Sequence, residues 1–571
     1  MGMTIGRKIF CYVLIAVLAC SVSASAKPKD RDKEKENAEV KFTARAELVL
    51  VPALVTDKSG NHITGLKKED FTVLENGAEQ RIATFEEITS DARRVTRPQK
   101  PNEFSNALAG GPSARRITLM VLDLLNTRFM DQAYARQDLL KYLTQSVDQR
   151  EPTGLYTLTR SGIHVIHDFT TDPRVLVAAL HKIKGDAYQM VDSEADMEAL
   201  TGTASPDGSA GVDPGAVQSE SQQLQTMMED AELNFQSFQQ RLAITYTLQA
   251  MQQVAQALAG FPGRKSLIWA SGGFPFSVSD NTMQLAPAGR DSLVDVLPMY
   301  EHTWQLLNNA QIALYPVDVK GLQAVGIANA SVGNPGKNYT RNMTWRNLDT
   351  QATLQTFASM TGGRAYYNSN DLVKGFRNAV SDSAEYYMLG YYLDRSRTKA
   401  GWRKLAVKVK RDRVEVRARS GFFVTNATID PDNSRSSDIS SALESPLDFT
   451  SLALVARWNK IEPGKDPGKK HVNYEMHLAA DPALINDADN NHIVIEFVAV
   501  AKTPEGKTVD QPRGQKVDAH LTPEKLAAVR QIGLAYSGAL DLAPGEYTVR
   551  FVVRDDLSGR IGSVAAPLKV E

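Results

Sequence analysis

Between residues 116 and 425 the chain alternates short, almost continuously apolar segments with helical patterns, and this constrains its fold more than any other feature. Ile117 to Leu122, Ser266 to Ala270 and Ile312 to Val317 show little polar alternation. A strand written this way is buried on both faces, as in a parallel sheet covered by helices on either side. The helices between are marked in their own right. Asp172 followed by Pro173 is an N-cap with Pro at the first helical position, and Leu176, Leu180 and Ile183 form one stripe. Ile244, Leu248, Met251, Ala255 and Leu258 step by four and three toward Gly260, and Leu372, Phe376 and Val380 mark another helix. The expectation is an α/β domain over 116–425 with a doubly wound, mostly parallel sheet. An insertion at about 186–235 interrupts it. The insertion's Gly-, Ser-, Asp- and Pro-rich centre, 201–215, reads as a mobile loop, and its Gln-rich end joins the helix that follows.

The flanks read as β-structure. Residues 42–90 form a β-rich module in which Phe71, Val73 and Glu75 alternate with Thr72 and Leu74, and Asn76-Gly77 signals a tight hairpin. Residues 91–115, rich in Arg, Pro, Gly and Asn, read as a linker. Residues 403–423 close the α/β domain with two alternating strands: Leu405, Val407 and Val409 pack inward, and Glu415, Arg417 and Arg419 lie on a charged, solvated face. Contact of the basic run Lys404–Arg419 with an anionic glycan or envelope lipid is the alternative. Residues 426–440 are read as a second linker, and 441–571 as an antiparallel β-sandwich.

Residues 1–26 carry Arg7 and Lys8, an apolar run from Ile9 to Cys20, and Ala24-Ser25-Ala26. That is the layout of a secretory signal peptide, and its apolar run of about 12 residues is shorter than the ~20 a spanning helix needs. Cleavage after Ala26 leaves an extracytoplasmic chain without cysteine or integral membrane span, because Cys11 and Cys20 are the only two cysteines. A lipoprotein modified at Cys20 is the alternative. Residues 27–41 are charged and read as a disordered leader. With 65 basic and 66 acidic residues the formal charge is −1, which gives no electrostatic reason to expect a nucleic-acid partner.

In an open parallel sheet, ligands bind beyond the carboxyl ends of the strands. Asp123-Leu124-Leu125-Asn126-Thr127, Ser271-Gly272-Gly273 and Asp318 follow the three apolar strands, so Asp123, Asn126, Thr127, Ser271 and Asp318 are the candidate site residues. These segments, with VTDKSGNHITGLKKEDFTVLENGAEQ (55–80), FTTDP (169–173), GFPGRKSLIWASGGF (260–274), LYPVDVKGL (314–322), TGGRAYY (361–367), YYMLGYYL (386–393) and RKLAVKVKRDRVEVRARSGFF (403–423), resemble a von Willebrand factor type A-related domain of the kind common in secreted proteins of Acidobacteria. The resemblance spans roughly 42–425 and implies adhesion or assembly through a protein partner. It also implies a metal-ion-dependent adhesion site for Mg²⁺ or Ca²⁺ in which Asp123 matches the first Asp and Thr127 stands for the second Ser. Leu125 occupies the first Ser position and cannot coordinate. Gly272 sits where the third-loop Asp is expected. The site is therefore expected to be degenerate, weak or empty, with Asp123 and Thr127 capping the next helix or bracing the loop. Asn126 and Asp318 are the groups able to compensate.

Other chemistries fit less well. His164 and His167 lie on a strand at a spacing that points them to opposite faces, so they do not share a metal. Ala270-Ser271-Gly272-Gly273 departs from the Gly-x-Ser-x-Gly of a hydrolase nucleophile elbow, and Gly260–Ser266 precedes its strand instead of following it as a phosphate loop does. The expectation is an extracytoplasmic protein-binding protein and not an enzyme, without a cofactor. Metal-assisted binding through Asp123 is the first alternative and hydrolysis through Ser271 the second.

Overall fold

A computed structural model describes residues 46–88, 102–106, 117–145, 151–182, 214–274, 278–279, 284–285, 296–320, 351–369, 371–382, 385–394, 398–424, 431–485, 489–509 and 511–571, all within the unit Arg45–Glu571. The expected signal peptide, both cysteines, the expected leader and residues 201–213 of the loop expected at 201–215 lie outside the described residues, and 214 and 215 begin a helix. The fold is mixed α/β, with one mixed parallel and antiparallel sheet and several antiparallel ones.

The mixed sheet has five strands in the order Ile312–Asp318, Lys265–Ser271, Thr118–Asp123, Thr153–Thr159, Gly162–Thr170. The first four are parallel and the last is an antiparallel edge. Every residue of Thr118–Asp123, Lys265–Ser271 and Ile312–Asp318 is buried, which is why those segments read as continuous apolar runs. Successive side chains go to opposite faces. Leu119, Val121, Leu267 and Trp269 meet Ile244, Leu248, Met251 and Leu258 of the helix Pro214–Leu258, together with Trp304 of the helix Leu297–Asn309. Met120, Leu122, Ile268 and Ala270 meet Leu139 and Tyr142 of Phe129–Gln145, Leu176 and Leu180 of Pro173–Lys182, and Phe376 of Leu372–Ser381. The helix Pro214–Leu258 takes in the Gln-rich end of the insertion. From the central strand Thr118–Asp123 the chain builds to one side and then returns to build on the other, so the switch point falls beside Asp123.

The β-structure on the two sides of this unit is one sandwich, which changes the boundaries expected at 42–90 and 116–425. Ala46–Thr56 pairs with Tyr386–Asp394 in the register Ala46↔Asp394, and with Glu415–Ala418 through Ala53↔Ala418. Phe71–Glu75 pairs with Gly401–Val409, Leu405 lying opposite Glu75. The two sheets enclose Val51, Val55, Phe71, Val73, Tyr387, Leu389, Leu405 and Phe422. Tyr387 donates to Ile63 O, and Tyr391 and Arg403 both donate to Glu75, so buried polar groups also join the halves. The α/β unit is thus an excursion between two halves of a β-sandwich. The hairpin at Asn76-Gly77 forms with both residues at positive φ.

Residues 441–571 form a sandwich of two antiparallel sheets around Ala456, Tyr474, Phe497 and Phe551. It takes more of the chain than expected. Glu103–Ser105, in the first expected linker, pairs with Val455–Arg457 at a sheet edge, and the buried Asn106 bonds Phe449, Leu452 and Leu454. The second expected linker contributes most of the helix Pro431–Glu444, held by Arg435 on Glu496, by Asp438 on Arg554, and by Ala442 packed against Phe449 and Val552. The sandwich also docks on the α/β unit. Thr450 accepts from Gly260 N and donates to Ala257 O, closing the end of the helix Pro214–Leu258. Among the described residues, no helix is long and apolar enough to cross a membrane.

Candidate functional site

Asp123, Ser271 and Asp318 end three adjacent strands and lie in one row across the carboxyl edge of the parallel sheet, Asp318 directly opposite Ser271. Asp123 is fully buried, and its carboxylate is saturated by protein donors. Oδ1 accepts from Asn126 N at 2.9 Å. Oδ2 receives Asn126 Nδ2 at 2.8 Å, the Trp269 indole Nε1 at 3.0 Å and Ser271 Oγ at 2.9 Å. Burial pushes the Asp123 carboxyl above the ordinary carboxylate range, and the bonds from Asn126, Trp269 and Ser271 pull against that rise.

The neighbours are held as firmly. Asn126 Nδ2 also reaches Thr247 Oγ1 on the long helix, and Thr247 donates back to Ala243 O. Thr127 Oγ1 accepts from Gly272 N at 2.8 Å, and Gln132 Nε2 donates to Leu124 O and Thr127 O. Ser271 Oγ lies 2.5 Å from Gly273 O and accepts from Gly273 N. Asp123 and Thr127 therefore brace the loop. Asp318 accepts from Lys320 N at 3.0 Å, and burial raises its pKa while Lys320 lowers it. Asp318 and Asp123 end the strands on either side of the one that ends in Ser271, and no bond joins the two carboxylates among the described residues.

This donor set does not fit a hard cation. Mg²⁺ and Ca²⁺ need about six oxygens arranged around an accessible centre. Here the oxygens of Asp123 face N–H and O–H groups, and a metal would have to displace an indole that has no oxygen to offer. Leu125 packs against the apolar core. A Cβ added at Gly272 would stand 3.0 Å from Asn126 O and 3.2 Å from Thr127 Cα, so the loop is closed around a missing side chain. Among the described residues no group of three or more His, Cys, Asp and Glu gathers in a metal-binding arrangement.

Sequence reasoning missed Trp269, Thr247 and Gln132. Trp269 was legible in principle, since it lies two residues before Ser271 on a strand and so shares its face. Thr247 sits among the apolar stripe of its helix, where nothing in the local pattern marks it. Of the two histidines, His164 bonds Ser161 and Thr159, and His167 bonds Asp168 O. The basic run differs from its expected solvated face. Arg403 pairs with Glu75 on the neighbouring strand of the sandwich, while Arg417 pairs with Asp382 and Arg419 is buried where the sandwich lies against the α/β unit. Arg419 N, for instance, lies within 3 Å of where a Cβ on Gly362 would stand.

Outside the folded site, an aromatic side chain is left in solvent near this edge among the described residues. Phe129, two residues after Thr127 and first in its helix, is 44% exposed. Arg128 beside it is 49% exposed and lies near Asp131.

No protein-family model matches the chain, and no curated protein matches it. Among solved structures the chain is similar to an aerotolerance-related membrane protein from Bacteroides fragilis NCTC 9343, crystallised with multiple mutations to serines. The identity is 10%, the match covers 46% of this chain and 98% of that one, and the TM-score is 0.23.

Proposed function

We propose that this is an extracytoplasmic binding protein whose α/β unit is a von Willebrand factor type A-related domain that engages a protein partner without a cation. The observation that carries the reading is the pairing of a sealed Asp123 cluster with an exposed Phe129 immediately beyond it. A partner arriving at this edge meets an aromatic ring and an arginine, the side chains enriched at the centres of protein interfaces. Catalysis by Ser271 finds no support in this geometry, since its hydroxyl is buried and engaged by Asp123 and Gly273. Export is proposed from the layout of residues 1–26, with cleavage after Ala26.

The test is a photo-crosslinking phenylalanine analogue at Phe129, in the full chain expressed in its native host. A discrete cross-linked protein is expected from position 129 and not from Val509, an exposed apolar residue of the C-terminal sandwich. Equal labelling from both positions removes the reading. N-terminal sequencing of exported material should begin at Lys27, and a lipid-modified Cys20 would replace that cleavage site.

A further inference from the structure

At the start of the strand His492–Lys502, in the C-terminal sandwich, a histidine lies between two carboxylates. His492 Nδ1 is 3.0 Å from Asp489 Oδ2, and its Nε2 is 2.8 Å from Asp518 Oδ1. The two acids come from different elements. Asp489 belongs to the turn that leads into the strand. Asp518 belongs to Arg513–His520, which pairs antiparallel with His492–Lys502 and forms the edge of its sheet. His520 lies opposite His492 and Asp518 opposite Val494, so both histidines and Asp518 share one face. The two imidazole rings stack with their centroids 4.5 Å apart.

Hydrogen-bond chemistry fixes the charge of the His492 ring. A carboxylate accepts and does not donate, and a neutral imidazole has one N–H and one lone pair. With a carboxylate oxygen at each nitrogen, both nitrogens must carry a proton, and the arrangement is that of an imidazolium. A neutral ring would set a lone pair against one of the carboxylates and lose that contact. The bond to Asp518 is the largest influence raising the His492 pKa from its ordinary 6.5; burial opposes it and Asp489 adds to it. The same bond holds the Asp518 carboxyl below its ordinary value. Among the described residues, the other titratable groups around this pair are His520 and Lys516 on the edge strand, and Lys516 is itself paired with Asp556. On the strand of His492, the next charged residue of the same face is Glu496, which is taken by Arg435.

These contacts tie two backbones together. Asn490 and Asn491, between Asp489 and His492, both have positive φ, 49° and 57°. Asparagine tolerates this left-handed conformation, but two such residues in succession need their surroundings to hold them. The edge strand supplies the hold: His520 Nδ1 donates to Asp489 O at 3.2 Å, and Leu521 N donates to Asn491 O at 3.1 Å. Ile485, Ile493, Leu521 and Val529 form a small apolar cluster of their own at this corner.

We propose that His492 is a pH-operated latch that fastens the turn 489–491 to the end of the edge strand Arg513–His520 and lets it go when the ring loses its proton. The latch is closed while His492 is protonated and Asp518 is ionised. The folded pKa of His492 is raised, so its contribution is complete below the ordinary value and is lost as pH rises through the raised one. The folded pKa of Asp518 is lowered, so its contribution is complete above the ordinary 3.8 and is lost as pH falls through the lowered one. The corner is therefore tight in mildly acidic solution and loosens on the alkaline side. Asp489 and Asp518 are 59% and 61% exposed, so water and salt weaken the tie and the release is local.

The test uses the full chain in two measurements between about pH 5 and 9, the range in which histidines change charge. In nitrogen NMR of histidine-labelled protein, the signal that disappears in His492→Gln should titrate above 6.5. Asp518→Asn and Asp489→Asn should each lower its midpoint, Asp518→Asn by more. Amide exchange, corrected for its intrinsic pH dependence, should quicken roughly two- to fivefold in 489–495 and 513–521 as pH rises through that midpoint, the factor an exposed ion pair supplies. The strand Gly545–Asp555 should show no such step, and His492→Gln should exchange at the fast rate throughout. The proposal is overturned if His492 titrates at or below 6.5, if exchange in the two segments follows its intrinsic dependence alone, or if the step survives in His492→Gln.

Discussion

The carboxyl edge of the parallel sheet and the cleft lined by Val49, Asn308, Gln311 and Arg419 are both buried and polar, and both sit where the chain leaves a strand. At the sheet edge the polar groups answer one another: Asp123 takes four donors, and Asn126, Thr127 and Ser271 each find partners in the protein. At the cleft, Arg419, Asn308 and Gln311 retain atoms with none. A closed network contributes rigidity and resists any ligand that must break it, whereas an open one costs stability. The residues that resemble a family's metal site thus form part of the scaffold, whereas Arg419, Asn308 and Gln311, outside that motif, each keep a buried polar atom without a partner.

Removing the centre of the closed network should have the largest effect. Asp123→Ala leaves the Trp269 indole N–H without an acceptor and takes one from Asn126 and Ser271, and should destabilise the fold by about 3 kcal/mol in a denaturant titration. A loss below roughly 0.5 kcal/mol would mean that the network is ornamental. The same group gives a pH signature. Its folded pKa is raised from 3.8, so its protonated form is favoured on folding. That contribution is complete below the ordinary value and is lost as pH rises through the raised one. Acidification from neutral pH should therefore improve wild type relative to Asp123→Asn, which lacks the titration.

Gly272→Asp should follow in size. It places a carboxylate where the resembled type A domains carry one, but its Cβ enters a gap bounded by Asn126 O and Thr127 Cα. Overpacking of this kind costs about 1–3 kcal/mol. Should Gly272→Asp instead gain stability on adding Mg²⁺, the loop is more adaptable than its packing indicates. At the cleft the sign should differ: Asn308→Leu removes an unpartnered buried amide and should change stability by less than about 1 kcal/mol in either direction, measured on the same denaturant scale.

How much of this was written in the sequence depended on distance along the chain. The parallel core was legible because burial on both faces turns Leu119 to Leu122 and Leu267 to Ala270 into unbroken apolar runs. The helix stripe Ile244, Leu248, Met251, Ala255 and Leu258 was legible for the same reason. The joint sandwich was not. Alternation in residues 46–56 reveals which side chains face a core, but nothing local says that the partner strand is Tyr386–Asp394. Arg419 was misplaced by a related step. Alternation with charged residues implied one wet face, yet that face is covered by the α/β unit, and only the tertiary arrangement reveals it. Of the candidate site, Asp123 and Thr127 were legible as a motif and Leu125 as its defect. The Trp269 indole, which takes up Asp123 in place of a cation, lies 146 positions away and enters only when the two strands come side by side.

The smallest expected effect is the response to metal, and it separates the two regions most sharply. A ligand present at a hundred times its Kd stabilises a fold by about 2.7 kcal/mol, well within reach of a thermal melt. Millimolar Mg²⁺ or Ca²⁺ should nevertheless leave the midpoint of this protein where it was. A cation entering at Asp123 would have to expel the Asn126 amide and the Trp269 indole N–H from the carboxylate, and it would gain no oxygen from Leu125 or Gly272. The buried donors it expelled would be left unpaired, at about 1–3 kcal/mol each, before the metal had gathered its own shell. Asp123→Ala should leave this null response unchanged, which distinguishes the cluster from a weak site. An upward shift with metal that vanishes in Asp123→Ala would show that Asn126 and Ser271 can turn their oxygens inward, and would make the sheet edge a ligand site after all. A shift that persists in Asp123→Ala would place the cation elsewhere, and Asp489 and Asp518, which flank His492 at the edge of the C-terminal sandwich, would be the first carboxylates to replace.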